Sequence, residues 1–138
     1  MGSMYLTAGE IFSIVWDWVR QSPLAQAVPT MYADYYPPNV KGEFLVMNML
    51  SNAVGGNQIA TVNVNIYVPD QTPSFGNAKN QRYPDRKRLT ELSRIAFDSL
   101  AGYPADKRWF FDVSDESLVS EEGIPYSFSN IKVKFKKY

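Results

Sequence analysis

The chain has 138 residues, of which 45% are hydrophobic and 14% aromatic, and its 14 acidic residues balance its 14 basic ones. This length and composition predict one folded domain with a buried core, and the balanced charge favours neither nucleic acid nor a membrane as the main partner. The sequence has no cysteine and no histidine, which excludes disulfides, thiolate metal sites and nucleophile pairs built on either residue. We therefore expect a protein that is not an enzyme and uses no cofactor or metal.

The N-terminal tripeptide Met1-Gly2-Ser3 precedes a second methionine, Met4, and is typical of a vector remnant. Residues 1–3 are therefore set apart, and residues 4–138 are predicted to form the single domain. No apolar run reaches the roughly 20 residues that cross a bilayer, and the start of the chain lacks the pattern of a signal peptide. We expect synthesis in a reducing cytoplasm and no membrane partner.

An amphipathic helix is predicted from about Ala8 to Gln21, because Thr7 and Glu10 have the spacing of a capping box. The apolar residues that follow are more numerous than one sheet face usually covers: Ile11, Phe12, Ile14, Val15, Trp16, Trp18 and Val19. Most of them are assigned to the core. An alternative is that Phe12 or Trp16 contacts a neighbouring subunit.

A short turn opened by Ser22-Pro23 leads to a predicted strand, Thr30 to Tyr36. Its tyrosines are residues that stack on bases or sugars. Tyrosine is also common in strands and at protein interfaces, and we favour that interpretation.

A strand pair around the Gly55-Gly56 turn is the clearest pattern in the sequence. Along the second strand, apolar residues from Val62 to Val68 alternate with Thr61, Asn63, Asn65 and Tyr67. Such alternation predicts a strand with one face on the core. The other face carries amides and hydroxyls rather than charges, which predicts a surface that hydrogen-bonds to another protein.

The segment Pro69 to Pro84 is rich in Pro, Gln, Asn and Ser, and we expect it to be mobile in the free protein and fixed in an assembly. Its end and the next helix start are basic: Lys79, Arg82, Arg86, Lys87 and Arg88. These charges fit a solvated loop, or an arm that packs on a partner or faces DNA phosphates.

A second helix is predicted from about Arg86 to Ala101, with Asp85 as its cap and Gly102 as its stop. Its apolar stripe consists of Leu89, Leu92, Ile95, Ala96 and Leu100. The basic residues in its first turn oppose the helix dipole, which suggests a use for them outside the monomer.

Two strands are predicted at the C-terminal end, beginning with Arg108 to Val113. The acidic residues that follow match no calcium loop, and we expect them to be solvated at a sheet edge or hairpin with a turn at Glu122-Gly123. In the last strand the apolar positions change parity between Phe128 and Ile131, which predicts a β-bulge near Ser129-Asn130. Its lysines, Lys132, Lys134 and Lys136, predict an exposed edge strand.

The predicted order is helix, strand, strand, strand, helix, strand, strand. This order indicates an α+β fold with two helices packed on one face of an antiparallel β-sheet. The apolar faces of the elements predict that Trp18, Val64, Ile66, Leu92 and Phe111 are buried.

The chain resembles the tail terminator, or tail completion, proteins of long-tailed bacteriophages and prophages. The resemblance lies in the element order, in the segment Met31-Tyr32 to Pro38, in the strand pair Glu43–Val46 and Val62–Tyr67, and in the basic strand Ile131 to Tyr138. It covers nearly the whole chain but includes no invariant motif. Pro69 to Pro84 and Trp109-Phe110-Phe111 lie outside the pattern and leave open another neck or connector role.

The resemblance implies a structural virion protein that is made in the bacterial host cytoplasm. Such proteins form a sixfold ring at the end of the tail tube, stop its growth and join the tail to the head. The implied partners are other copies of the chain, the tail tube protein and the head–tail connector protein, with DNA passing close by in the lumen.

A ring requires two different patches that fit head to tail. The basic stretch Lys79 to Arg94 and the acidic stretch Asp112 to Glu122 are predicted to pair across subunits. The interface candidates are Asn63, Asn65, Tyr67, Lys79, Arg82, Arg86, Arg88, Asp115, Glu116 and Glu121.

Two other classes of function stay open at this point. A non-viral binding module would present a concave aromatic groove in the monomer. An enzyme working through Asp, Glu, Tyr or Lys would need two carboxylates that converge in a cleft, which the sequence does not indicate.

Overall fold

The computed structural model describes residues 4–72 and 81–138, which form three helices and one five-stranded sheet. The sheet order is β1-β2-β3-β5-β4, with β1 parallel to β2 and every other pair antiparallel. The elements are α1 (Ala8–Arg20), α2 (Pro23–Ala27), β1 (Met31–Ala33), β2 (Phe44–Ala53), β3 (Gln58–Pro69), α3 (Arg86–Ser99), β4 (Trp109–Ser120) and β5 (Tyr126–Lys137).

The α+β class is confirmed, with two differences in detail. The sheet is mixed rather than antiparallel, because the short strand β1 runs parallel to β2. The described residues contain three helices rather than two, because Pro23–Ala27 forms a full helical turn, with Pro23 as its first residue, instead of a simple turn.

Helix α1 begins with the predicted capping box. The Thr7 Oγ1 accepts from the Glu10 amide at 3.2 Å, and the Glu10 carboxylate accepts from the Thr7 amide at 3.0 Å. Its buried residues are Ile11, Val15 and Val19, at i, i+4 spacing. Because these three residues face the core, the neighbouring Trp18 points partly away from it.

Trp18 is therefore not a buried core residue, and that prediction is wrong, because its side chain is 39% exposed. The indole lies at the edge of the core, where its Nε1 donates to the Ser99 carbonyl at 2.9 Å. Its ring meets the ring of Phe111 edge-on, with centroids 5.3 Å apart.

The main core lies between the three helices and one face of the sheet. The other four predicted core residues, Val64, Ile66, Leu92 and Phe111, are buried there. The strand pair is also confirmed, with Gly55 and Gly56 at φ values of 124° and 60° in its turn. Glycine adopts positive φ at little cost, because it has no Cβ.

A second, smaller cluster covers part of the opposite face of the sheet. Its buried members are Phe44, Val46, Tyr67 and Tyr126, and Tyr32, Tyr36, Val40, Ile124 and Phe128 pack against them. The segment between β1 and β2 supplies two of these, Tyr36 and Val40.

This second cluster explains the change of parity in the last strand. Tyr126 and Phe128 face the small cluster, whereas Ile131, Val133 and Phe135 face the main core. The register of β5 is continuous with both neighbours across Ser129-Asn130, so the predicted β-bulge is absent there. The register shifts lie elsewhere, between Met49 and Ser51 and between Val113 and Asp115.

The prediction that the lysine-bearing strand lies at the sheet edge is also wrong. Strand β5 lies between β3 and β4, and the edges are β1 and β4. Its lysines lie on the face of the sheet opposite the helices, which we call the helix-free face, and they contact polar neighbours there as well as solvent. The Lys134 ammonium donates to the Thr61 hydroxyl at 2.7 Å. Strand β4 runs to Ser120, well beyond the predicted end at Val113, and carries the first half of the acidic stretch along the edge.

Helix α3 has the predicted cap, in which the Asp85 carboxylate accepts from the Arg88 amide at 3.1 Å. It ends at Ser99, two residues before the predicted end. Gly102 is not a left-handed helix stop, because its φ is not positive. Instead it pairs with Phe111 through two backbone hydrogen bonds of 2.8 and 3.0 Å.

Half of the predicted mobile loop Pro69 to Pro84, residues 73–80, lies outside the described residues. The chain on either side of that gap is joined by a bridge between Gln71 and Tyr83, with backbone hydrogen bonds of 2.9 and 3.0 Å.

Gly102→Ala is expected to lower the free energy of unfolding by about 1–3 kcal/mol through overpacking. A Cβ at Gly102 would lie 2.7 and 2.8 Å from two ring atoms of the fully buried Phe111. The matched control is Gly9→Ala in α1, where a Cβ meets nothing within 4 Å and helix propensity predicts an increase of up to about 1 kcal/mol. Urea unfolding of both variants checks the pair; equal effects would contradict the close approach at Gly102.

Leu92→Ala is expected to lower the free energy of unfolding by about 2–5 kcal/mol, because it removes a fully buried side chain from the main core. Leu50→Ala provides the comparison, since Leu50 is 57% exposed and surface substitutions usually change stability by less than about 0.5 kcal/mol. A loss below 1 kcal/mol at Leu92, on the same scale, would mean that α3 does not pack as described.

Candidate functional site

A row of asparagines crosses the helix-free face of the sheet. The Asn63 side-chain amide donates to Asn48 at 2.9 Å, and that of Asn130 donates to Asn65 at 2.5 Å and to Asn63 at 3.3 Å. The Lys132 ammonium donates to Asn130 at 2.6 Å. We call these four asparagines the amide row. Asn63 and Asn65 thus lie on one polar face, as predicted, but part of their hydrogen-bonding capacity is used within the chain.

Tyr67 and Glu121, two further interface candidates, meet each other in the structure. The Tyr67 hydroxyl donates to the Glu121 carboxylate at 2.9 Å, and that of Tyr36 donates to it at 3.4 Å. The Tyr67 ring stacks between Phe44 and Phe128, with centroids 4.6 Å away on each side. These contacts fix the small cluster, and they leave little of Tyr67 for a partner.

Burial is the first cause that raises the pKa of Tyr67, and the adjacent Glu121 carboxylate adds to it through the hydrogen bond and its negative charge. The same two causes raise the pKa of Tyr36. Both hydroxyls therefore stay protonated, as donors to Glu121, well above neutral pH.

Arg88 is engaged within the chain rather than free for a neighbour. Its guanidinium donates two hydrogen bonds to Glu43, of 2.7 and 2.9 Å, and one to Glu91 at 3.2 Å. The hydrogen bonds to Glu43 are the main cause that raises the pKa of Arg88. This pair ties the first turn of α3 to the residue that precedes β2.

The other basic candidates differ from Arg88. Arg82 and Arg86 are exposed, as is Lys87, and none of them forms an ion pair with the described residues. Lys79 lies outside the described residues. The first turn of α3 therefore presents two exposed cations, Arg86 and Lys87.

The acidic candidates Asp115 and Glu116 are exposed on β4. Asp115 is opposite Lys132 on the helix-free face, and Glu116 is opposite Ile131 on the helix side. The Glu116 carboxylate accepts from the buried Ser129 hydroxyl at 3.4 Å. The two residues thus point to opposite faces of one edge strand and cannot form a single acidic patch.

The end of β4, residues 117–120, combines an edge position with uncharged side chains. Leu118 and Val119 are 51% and 38% exposed. Strand β4 pairs with β5 alone among the described strands. Its outer side is bonded to Gly102 at Phe111, whereas the outer backbone groups of residues 117–120 have no backbone partner among the described residues and are open to another chain. Edge strands without charge or proline are prone to such pairing.

A cleft that the sequence pattern does not predict lies where α1 and α3 end and β4 begins, with a volume of about 490 Å³. We call it the tryptophan cleft. Trp18 is fixed by the Ser99 carbonyl, and Trp109 stacks on Phe135 with centroids 5.2 Å apart. The lining includes Ile14, Asp17, Trp18, Pro23, Asp98, Ala101 and Trp109.

The cleft combines two indoles with two carboxylates and includes no lysine or arginine in its lining. Aromatic faces and carboxylates together attract organic cations. The sequence contains a partial signal, Asp17 beside Trp18, but nothing in the spacing places Trp109 or Asp98 next to them.

Comparison of the sequence with protein-family models and with curated proteins finds no significant match. Within residues 4–72 and 81–138, no group of three acidic side chains is close enough to hold a metal ion. In the same ranges, each helix is too short or too polar to span a bilayer.

Tyr67→Phe is expected to lower stability at neutral pH by about 0.5–1.5 kcal/mol, through the lost hydrogen bond to Glu121. It is also expected to flatten the loss of stability in alkali. Because folding raises the pKa of Tyr67 above its usual value near 10, its contribution is complete below pH 10 and falls as the pH rises further. Urea unfolding between pH 8 and 11.5 measures both effects; parallel pH profiles for variant and wild type would contradict this role.

Proposed function

We propose that this chain is a structural subunit of a phage or prophage neck. In this proposal, copies of the chain form a ring at the end of the tail tube, stop its growth and join the tail to the head connector. The chain is made in the host cytoplasm and becomes part of the virion. The observation that carries the proposal is that the helices lie on one face of the sheet, so that no described helix covers the partly buried amide row on the other face, and residues 117–120 of β4 lie at an edge without a described strand partner on their outer side.

The amide row supports a protein-facing surface. Each asparagine side chain has two donor hydrogens and two acceptor lone pairs, and the bonds within the row use only part of them. The flanking Lys132 and Lys134 also donate to neutral partners rather than to carboxylates. A face of this kind suits hydrogen bonding to a neighbouring ring, because burying it requires few charges to lose water.

The edge of β4 supports lateral contacts between subunits. Residues 112–116 carry Asp112, Asp115, Glu116 and a register shift, which are features that discourage strand pairing. The last four residues, 117–120, have neither charge nor register shift. Pairing restricted to the end of an edge strand suits a contact of defined register between two subunits.

The chemistry of the described residues supports a role without turnover. The carboxylates that line the tryptophan cleft, Asp17 and Asp98, are exposed. The buried tyrosine that donates to Glu121, Tyr67, stays protonated because its pKa is raised. Catalytic acids and bases instead need a pKa near the working pH.

The expected result in solution is a discrete sixfold ring, formed by the chain alone or on tubes of a tail tube protein. Sedimentation across a concentration range measures the first case, and electron microscopy of tube lengths with and without the chain measures the second. An interface of about 800 Å² on each subunit is the size that such a contact requires.

Val119→Lys is expected to weaken ring formation by at least about tenfold, since it places a charge on the uncharged edge. Val54→Lys serves as the control, because Val54 is 57% exposed in the turn between β2 and β3. A strict monomer at high concentration, alone and with tube protein, would overturn the proposal.

A non-viral binding module is the second candidate, and the tryptophan cleft is the observation that favours it. The cleft volume of about 490 Å³ lies within the range of small-molecule sites. The sedimentation experiment separates the two, because a binding module stays monomeric while its cleft takes up a ligand.

A further inference from the structure

Helix α3 carries charges at both ends that oppose its own dipole. Its first turn presents Arg86 and Lys87 near the positive N-terminus, and its last turn contains Asp98 and no basic residue. The N-cap Asp85 offsets part of the first mismatch. Charges placed this way disfavour the isolated helix. An opposite charge from another molecule would offset this unfavourable interaction at either end.

The two ends of α3 present complementary surfaces. Arg86 and Asp98 are twelve residues apart, or about 18 Å along the axis at 1.5 Å per residue. The C-terminal end opens into the tryptophan cleft, with Asp98, Asp17 and the faces of two indoles. The N-terminal end offers two exposed cations that lack an ion pair with the described residues.

The cleft is prepared for a cation of limited size. Trp18 is held by its hydrogen bond to Ser99, and Trp109 by stacking on Phe135 and Phe111. Rigid indoles lose little conformational entropy when a guanidinium or an ammonium group lies against them. Among the described residues, Asp98 forms no ion pair, and Asp17 forms one with the exposed Arg20 alone, at 3.3 Å.

We propose that the tryptophan cleft of one copy receives the Arg86–Lys87 turn of the next copy. The contact rests on the proposed ring and specifies one of its lateral interfaces. Because donor and acceptor lie at opposite ends of one helix, the contact is head to tail, which is the type that closes into rings. Arg88 has a different task, since its two bonds to Glu43 fix the turn that carries the cations.

The test uses the full chain in two variants, each of which reverses the charges of one of the two surfaces. The first variant, Asp17→Lys with Asp98→Lys, makes the cleft basic while leaving the helix start basic. The second, Arg86→Glu with Lys87→Glu, makes the helix start acidic while leaving the cleft acidic. Each variant alone is expected to associate at least about tenfold more weakly than wild type in sedimentation, because like charges then meet at every contact.

An equimolar mixture of the two variants is expected to recover association, because a basic cleft then meets an acidic helix start and the reverse. Copies must alternate in such a ring, which an even number of subunits permits. Asp106→Lys is the matched control, because it reverses an exposed acid outside the cleft, and it should associate like wild type. Circular dichroism and urea unfolding check that each variant folds.

The outcomes separate this inference from the proposed function. Rings that form equally well from wild type and both variants would overturn the cleft contact and leave the ring proposal standing. A mixture that fails to recover would also overturn it. A wild type that stays monomeric at high concentration, both alone and with tube protein, would overturn both, and uptake of arginine amide by that monomer, read from tryptophan fluorescence, would favour the binding module. If a double reversal does not fold, Asp98→Asn and Lys87→Gln test the same contact, with an expected weakening of at least about threefold each.

Discussion

The double burial of strand β3 is the constraint on which the rest of the structure depends. Val62, Val64 and Ile66 face the main core, while Tyr67 and Asn65, between and beside them, are buried on the opposite face. The same strand lies at the centre of the sheet, hydrogen-bonded to β2 on one side and to β5 on the other. The short strand β1 and the long strand β4 are thereby left at the edges, and β4 becomes the surface that is open to other chains.

Local signals in the sequence were sufficient for the elements themselves. The capping box at Thr7 and the cap at Asp85 mark the helix starts, and the alternation around Val64 identifies a strand with an apolar face. Local signals were not sufficient for the order of the strands, because the neighbours of β5 are decided by contacts far apart in the chain. Lysines on β5 suggested an edge, yet the helix-free face accommodates their ammonium groups beside Asn130 and Thr61.

The same limit applies to the candidate site. The sequence identified the polar face of β3 and the basic start of α3, since both are continuous in the chain. It could not show that Arg88 would be engaged by Glu43, or Glu121 by Tyr67, because each pair is separated by more than 40 residues. The tryptophan cleft was missed for a similar reason: Trp18 and Trp109 come together only when α1 packs beside the start of β4.

The pairing of Arg88 with Glu43 also determines which cations at the start of α3 remain available to a neighbouring subunit. A guanidinium with two hydrogen bonds to a carboxylate is held in one geometry, so the backbone of the first turn of α3 is fixed while Arg86 and Lys87 remain exposed. Rigid presentation of two charges loses less entropy on association than a flexible arm would. A head-to-tail contact then closes into a ring of defined size, rather than an open filament, only if the angle between its two patches is constant. The fourteen-residue helix α3 carries Arg86 and Lys87 at one end and contributes Asp98 to the tryptophan cleft at the other, and its packing on the sheet through Leu89, Leu92 and Ala96 is a direct physical means of keeping that angle constant.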